Sequence, residues 1–239
     1  MNRVAQSALL FLLGATLLHA GTTDLYLRYV KAGLRPLVLL AGVVLIATAA
    51  ATLWYDHRRP GPPQPEHHHN EPRISWLLAL PVLALILVAP PALGSYSASH
   101  TGTALTKPFG FPDLPDSPDG PLRLGVADYA GRAVYDDGRS LRDRELQITG
   151  FVTLDRSGAP YLVRMGLNCC AADAQPVKIA LTGSLPPVLA PDTWLEITGR
   201  YTPRRTKDPV NDGPIPYLEV TRAKPVPAPH DPYDETWNA

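Results

Sequence analysis

Two adjacent thiols followed by a carboxylate, Cys169-Cys170-Ala171-Ala172-Asp173, are the sharpest chemical feature of this 239-residue chain. Thiolates beside a carboxylate can take zinc or another divalent transition metal, because sulfur and oxygen donors suit soft and borderline cations. Neighbouring thiols can also cycle through a strained vicinal disulfide. A third arrangement involves no chemistry: one thiol is buried as a small apolar group, the other lines a loop, and Asp173 caps the following turn. The residues alone leave all three open. They do exclude two classes: with Cys169 and Cys170 the only cysteines, the chain can build neither a four-cysteine zinc site nor the disulfide framework of a small secreted scaffold.

A weaker set of metal donors lies earlier. His67, His68 and His69 stand between Glu66 and Glu71 in a stretch rich in proline. Neutral imidazole binds zinc or nickel near neutral pH, although such a tract is compositional and equally describes a solvated linker. Asp113, Asp116 and Asp119 recur at a spacing of three, which fails the alternate-position pattern of a calcium loop. No phosphate-cradling Gly-Lys-Ser/Thr loop, no H-E-x-x-H, no Gly-x-Ser-x-Gly elbow and no Cys-x-x-Cys occurs, so the chain reads as no enzyme.

The elements that must position these residues follow from where the charges are. No Asp, Glu, Lys or Arg falls within 4–23, 36–55 or 74–106. An apolar run of about 20 residues gives a helix of roughly 30 Å, the thickness of a bilayer's hydrocarbon core. Three membrane spans are therefore expected, at about 4–23, 36–55 and 74–93, the last kinked at Pro81. Trp54, Tyr55 and Trp76 mark span ends at headgroup level. The first two loops balance in charge, with Arg28, Lys31 and Arg35 against Arg58, Arg59 and Arg73. Arg3 then favours a cytoplasmic amino terminus and an extracytoplasmic C-terminal domain. Membrane lipid is thus one expected partner.

From Leu122 the chain changes character, with 14 basic and 15 acidic residues through to Ala239. That balance argues against nucleic acid, whose binding needs a basic surface. Val126, Tyr129, Ala133 and Val134 have helical spacing and predict a short helix ending at Asp136-Asp137-Gly138. The rest predicts five strands: one through Leu146, Ile148, Val152 and Leu154, bent or bulged at Gly150, then 161–167, 177–181, 194–201 and 217–221. Five short strands suit a barrel of the oligonucleotide/oligosaccharide-binding (OB) type, with an open sandwich as the alternative. The expected organisation is a membrane region 1–93 with the His-rich loop 56–73, a Pro/Gly/Ser-rich linker 94–121, an OB-like β domain 122–224, and an extended Pro-rich tail 225–239. The fold class is then an α-helical membrane region followed by a mainly β domain.

Three spans, a His-rich loop, Gly150-Phe151-Val152, Cys169 to Ala174, Trp194-Leu195-Glu196-Ile197-Thr198-Gly199 and a late Pro232-Tyr233 together resemble the YcgQ-like family of permease subunits. The resemblance covers essentially the whole chain, and its most specific part is the double-cysteine run with the later Trp-x-x-x-x-Gly. It implies a companion multi-span permease of the YcgR type in the cell membrane, with this chain as accessory subunit and metal ions as a suggested cargo. Two rival readings are an envelope-tethered binding module without a transport role and a thiol or metal-buffering protein.

Overall fold

The computed structural model describes residues 3–58, 80, 83–84, 88, 90–115, 117 and 120–235. The chain divides into two compact units, one of residues 1–26 and 32–91, the other of residues 27–31 and 92–239.

The first unit is a helical hairpin. Helix α1 (Arg3–Thr22) and α2 (Arg35–Arg58) are 20 and 24 residues long, about 30 and 36 Å. Both are long and apolar enough to cross a membrane. Their axes approach closely where glycines face each other: a Cβ on Gly14 would lie 2.8 Å from the Gly42 carbonyl, and one on Gly42 2.9 Å from Leu18. Small residues at such a crossing let helices gain dispersion contact that lipid cannot supply. Thr16, Thr48 and Thr52 return their hydroxyl protons to carbonyls four residues back, so these donors are satisfied within the helices themselves. Arg35 Nε donates to the Gly21 carbonyl at 2.9 Å, satisfying an acceptor at the end of α1. Leu37, Leu40, Val43, Val44 and Trp54 point outward.

A third span is not shown. Most of 74–93 lies outside the described residues, as do His67, His68 and His69, and Pro90 to Leu93 are not helical.

The second unit is built on a closed barrel. Its strands are β1 (Leu122–Leu124), β2 (Leu146–Leu154), β3 (Pro160–Leu167), β4 (Gln175–Gly183), β5 (Trp194–Lys207), β6 (Pro214–Pro225) and β7 (Tyr233–Glu235). Five close in the order β2-β3-β4-β6-β5 and back to β2, which fits an OB-like barrel. All barrel pairs are antiparallel except β4–β6. The start of β2 pairs in parallel with β1, and within the barrel β2 serves two partners, with 146–151 on β5 and 151–154 on β3. Gly150 sits at this change, where a Cβ would come within 2.7 Å of the Val163 carbonyl. The register irregularities themselves fall elsewhere, in β5 between Thr198/Gly199 and Tyr201/Arg205.

Alternate side chains of the strands fill the barrel: Ile148, Val152, Leu162, Ile179, Ile197 and Leu218 are all fully buried. Helix α4 (Val126–Tyr135), counted after the short α3 (Ser95–His100), packs into the same core through Val126, Tyr129, Ala130 and Ala133. Burial pushes the Tyr129 hydroxyl well above the usual phenol range, and it donates to the Tyr217 carbonyl. Buried Arg132 on α4 meets Asp128 at 2.7 Å, Ser140 and the Pro112 carbonyl, and its guanidinium lies 5.3 Å from the Phe111 ring.

The stretch 94–121 does more than space two parts. Helix α3 buries Ala98 in a second apolar cluster with Phe151, Val163, Met165 and Ile215. Thr103 then accepts and donates inside the domain, its amide reaching Asp208 at 2.9 Å. The Pro-rich tail is likewise tied down: Val226 N–H bonds the Trp194 carbonyl, and β7 pairs in parallel with β3.

Candidate metal centre

Strand β3 ends at Leu167, and the turn to β4 carries the two thiols, followed by a 3₁₀ turn over Ala171–Asp173. Asp173 folds this turn back on itself. One carboxylate oxygen accepts the Asn168 N–H at 3.1 Å and the other the Cys169 N–H at 2.9 Å. The Cys169 and Cys170 sulfurs stand 3.7 Å apart, far beyond the roughly 2.05 Å of a disulfide, and both thiols are free. Sulfurs and carboxylate oxygen, one donor atom per residue, all lie within 4.8 Å of one another. Cys169 is exposed and Cys170 half-buried. The turn thus presents its donors at a surface.

These distances can be tested against a cation. Two thiolates on one tetrahedral zinc at about 2.3 Å stand roughly 3.8 Å apart, close to the separation found. Three donors leave a fourth position for water or an incoming ligand, as in zinc sites that exchange what they hold. The nearby Asp173 carboxylate, and after it Cys170, push the Cys169 thiol up to about 12. The same contact, with the backbone N–H groups of the turn, holds Asp173 below the ordinary carboxylate range.

The turn is clamped from behind by a segment far away in sequence. Val30 forms an antiparallel bridge with Cys170. Lys31 N–H donates to the Cys169 carbonyl at 3.1 Å, and Ala171 N–H to the Tyr29 carbonyl at 2.8 Å. Tyr233 of β7 anchors the same segment: its hydroxyl donates to the Arg28 carbonyl and accepts the Leu93 N–H, both at 3.0 Å. Neighbouring Asp234 meets Arg164 Nε at 2.9 Å. Arg164 also reaches the carbonyls of Asp231 and Tyr233 and lies 5.1 Å from the Trp194 ring. Burial pushes the Asp234 carboxyl up, against the opposing pull of Arg164.

Sequence reasoning thus named the three donors, and the structure brings them together. It missed the clamp, residues 28–31 with Arg164 and Tyr233, because backbone bonds leave no mark in side-chain pattern.

Residues 127–234 match the family model of the DUF1980 C-terminal domain. The matched stretch runs from α4 into β7 and includes the barrel, Cys169 to Asp173 and Tyr233. This is consistent with the resemblance to the YcgQ-like family. No curated protein and no solved structure matches the chain.

Proposed function

We propose that this chain is the membrane-anchored accessory subunit of a two-component permease, whose Cys169/Cys170/Asp173 turn takes a divalent transition-metal cation, zinc among them, as cargo. The observation that carries this reading is the set of three donors within 4.8 Å on an accessible turn, with one coordination position left over. A closed four-ligand site would store its ion; an open one releases it by ligand exchange. Cys169 and Cys170 would hold the cation as thiolates, each giving up its thiol proton to solvent as the ion enters. Asp173 would orient the turn and supply oxygen.

The clamp also bears on topology. Residues 27–31 connect α1 to α2, yet they belong to the same unit as the barrel. If α1 and α2 each cross the bilayer, this connector and the barrel share one side, and Arg58 emerges on the other. The chain must then cross once more between Arg58 and Ala92. The charge-free run that begins at Ile74 has the composition for that crossing. Arg3 at the start favours an extracytoplasmic barrel.

Gentle detergent extraction tests the role: a companion multi-span permease of the YcgR type should co-purify, and a lone chain would count against a permease subunit and leave a tethered binding module. Metal analysis by native mass spectrometry tests the site. The wild type should carry zinc, and the double variant Cys169→Ser, Cys170→Ser should lose it; equal stoichiometry would eliminate the turn as a ligand set.

A further inference from the structure

A separate cavity of about 310 Å³ opens in the second unit, between the β2–β3 turn, the β5–β6 turn and the end of α3. It shares no residue with the thiol turn. Its volume lies at the small end of ligand pockets. Leu154, Tyr161 and Ile215 give it an apolar interior, and Val210, half exposed, an apolar rim.

Most of the polar groups around it are already committed. Lys178 Nζ is buried in an ion pair with Asp208 at 2.8 Å and also donates to the Thr101 carbonyl. Asp155 turns its oxygens into its own turn, where they accept the Ser157 and Ala159 N–H groups, the Ser157 hydroxyl and, weakly, the Tyr161 hydroxyl. His100 Nδ1 is engaged with the Tyr96 carbonyl. Arg156 differs: among the described residues its guanidinium has no ion-pair or hydrogen-bond partner, and it lines the cavity. A guanidinium is a fixed charge with a planar fork of donors, suited to carboxylate or phosphate.

We infer that this cavity binds a small organic anion with an apolar, ring-sized body, its carboxylate or phosphate held by Arg156 and its body seated against Leu154, Tyr161 and Ile215. The apolar interior supplies affinity, and the single uncommitted cation sets the sign of the head group. The Lys178–Asp208 pair is a rigid wall here, since both members are buried and satisfied. Nothing in this reading depends on the metal turn.

Phenyl phosphate is a suitable probe, titrated into the full chain in lipid nanodiscs and followed by ligand-observed NMR, with empty nanodiscs as baseline. A body of this size predicts saturable binding with a Kd of about 1 mM or tighter. Arg156→Gln should weaken phenyl phosphate about tenfold, as expected for loss of one charge-assisted hydrogen bond. The same variant should leave the weaker binding of neutral benzyl alcohol unchanged. Val210→Asp, at an exposed position, should repel the anion without touching the core. Absence of saturable binding, equal affinity in Arg156→Gln, or displacement by inorganic phosphate as effective as by phenyl phosphate itself would each overturn the assignment.

Discussion

Asp155 illustrates how much one carboxylate can decide. Burial works to raise its pKa, but the hydrogen bonds from Ser157, Ala159 and Tyr161 outweigh that and hold it below the ordinary value. A depressed native pKa stabilises the folded state above the unfolded value of about 3.9 and loses that contribution as pH falls through the native value. Thermal melting of wild type and Asp155→Asn should therefore differ at neutral pH, and the gap should close below about pH 4. A gap that persists into acid would mean that ionisation is not the cause. Asp173 works similarly but on a turn that carries donors. Asp173→Ala frees the Asn168 and Cys169 amides, so zinc stoichiometry should fall while the barrel's melting temperature stays close to wild type. At this scale the sequence was informative about identity and silent about geometry: Cys169, Cys170 and Asp173 stand out by residue type, whereas the 3.7 Å between their free sulfurs is set by a turn that the side-chain pattern does not show.

Among the elements, α4 was the most legible, because Val126, Tyr129 and Ala133 recur at a helix period and all three are buried. Its one departure from an apolar face, Arg132, is 1% exposed. Truncation to Ala strips Asp128 and Ser140 of a partner and empties the space beside Phe111. We expect Arg132→Ala to cost about 3 kcal/mol, the usual penalty for breaking a buried pair, read as a lower denaturant midpoint of the β signal in circular dichroism. Gly150→Val should also destabilise, by about 2 kcal/mol, because its side chain meets the Val163 carbonyl where β2 changes partner; Gly150→Ala should do so less. The strand cores were legible from alternation, whereas their ends were not. Strand β5 continues past Tyr201 to Lys207 on polar residues, and β6 starts at Pro214, where the prolines flanking buried Ile215 hide the strand pattern. Strands β1 and β7, three residues each, are too short to show a period, and α3 reads as a Ser-rich spacer.

For the molecule as a whole, the charge-free windows announced the hairpin of α1 and α2, and the balanced charge announced a separate polar domain. The contact that joins the connector to the thiol turn was not legible, since it pairs residues 29–31 with 169–171 through main-chain atoms. Its topological consequence can be measured. With Cys169 and Cys170 changed to Ser, a single cysteine at Lys31 or Asp231 should react from the outer face with a membrane-impermeant maleimide in intact cells. One at Gln64 should react only after permeabilisation. Labelling of Gln64 and Asp231 from the same side would remove the third crossing.

The Tyr233 hydroxyl bonds the Arg28 carbonyl across 205 positions of chain. Loop closure over such a distance costs only slightly more than over half of it, about 0.6 kcal/mol per doubling, and residues 29–31 meet the thiol turn through main-chain bonds. We expect these main-chain bonds to open locally, without global unfolding. Amide protons of Lys31 and Ala171 should therefore exchange with deuterium through brief local release, well before those of Ile148 or Ile197 in the barrel wall. On that expectation the strap behind the thiols can let go and return while the barrel wall stays folded.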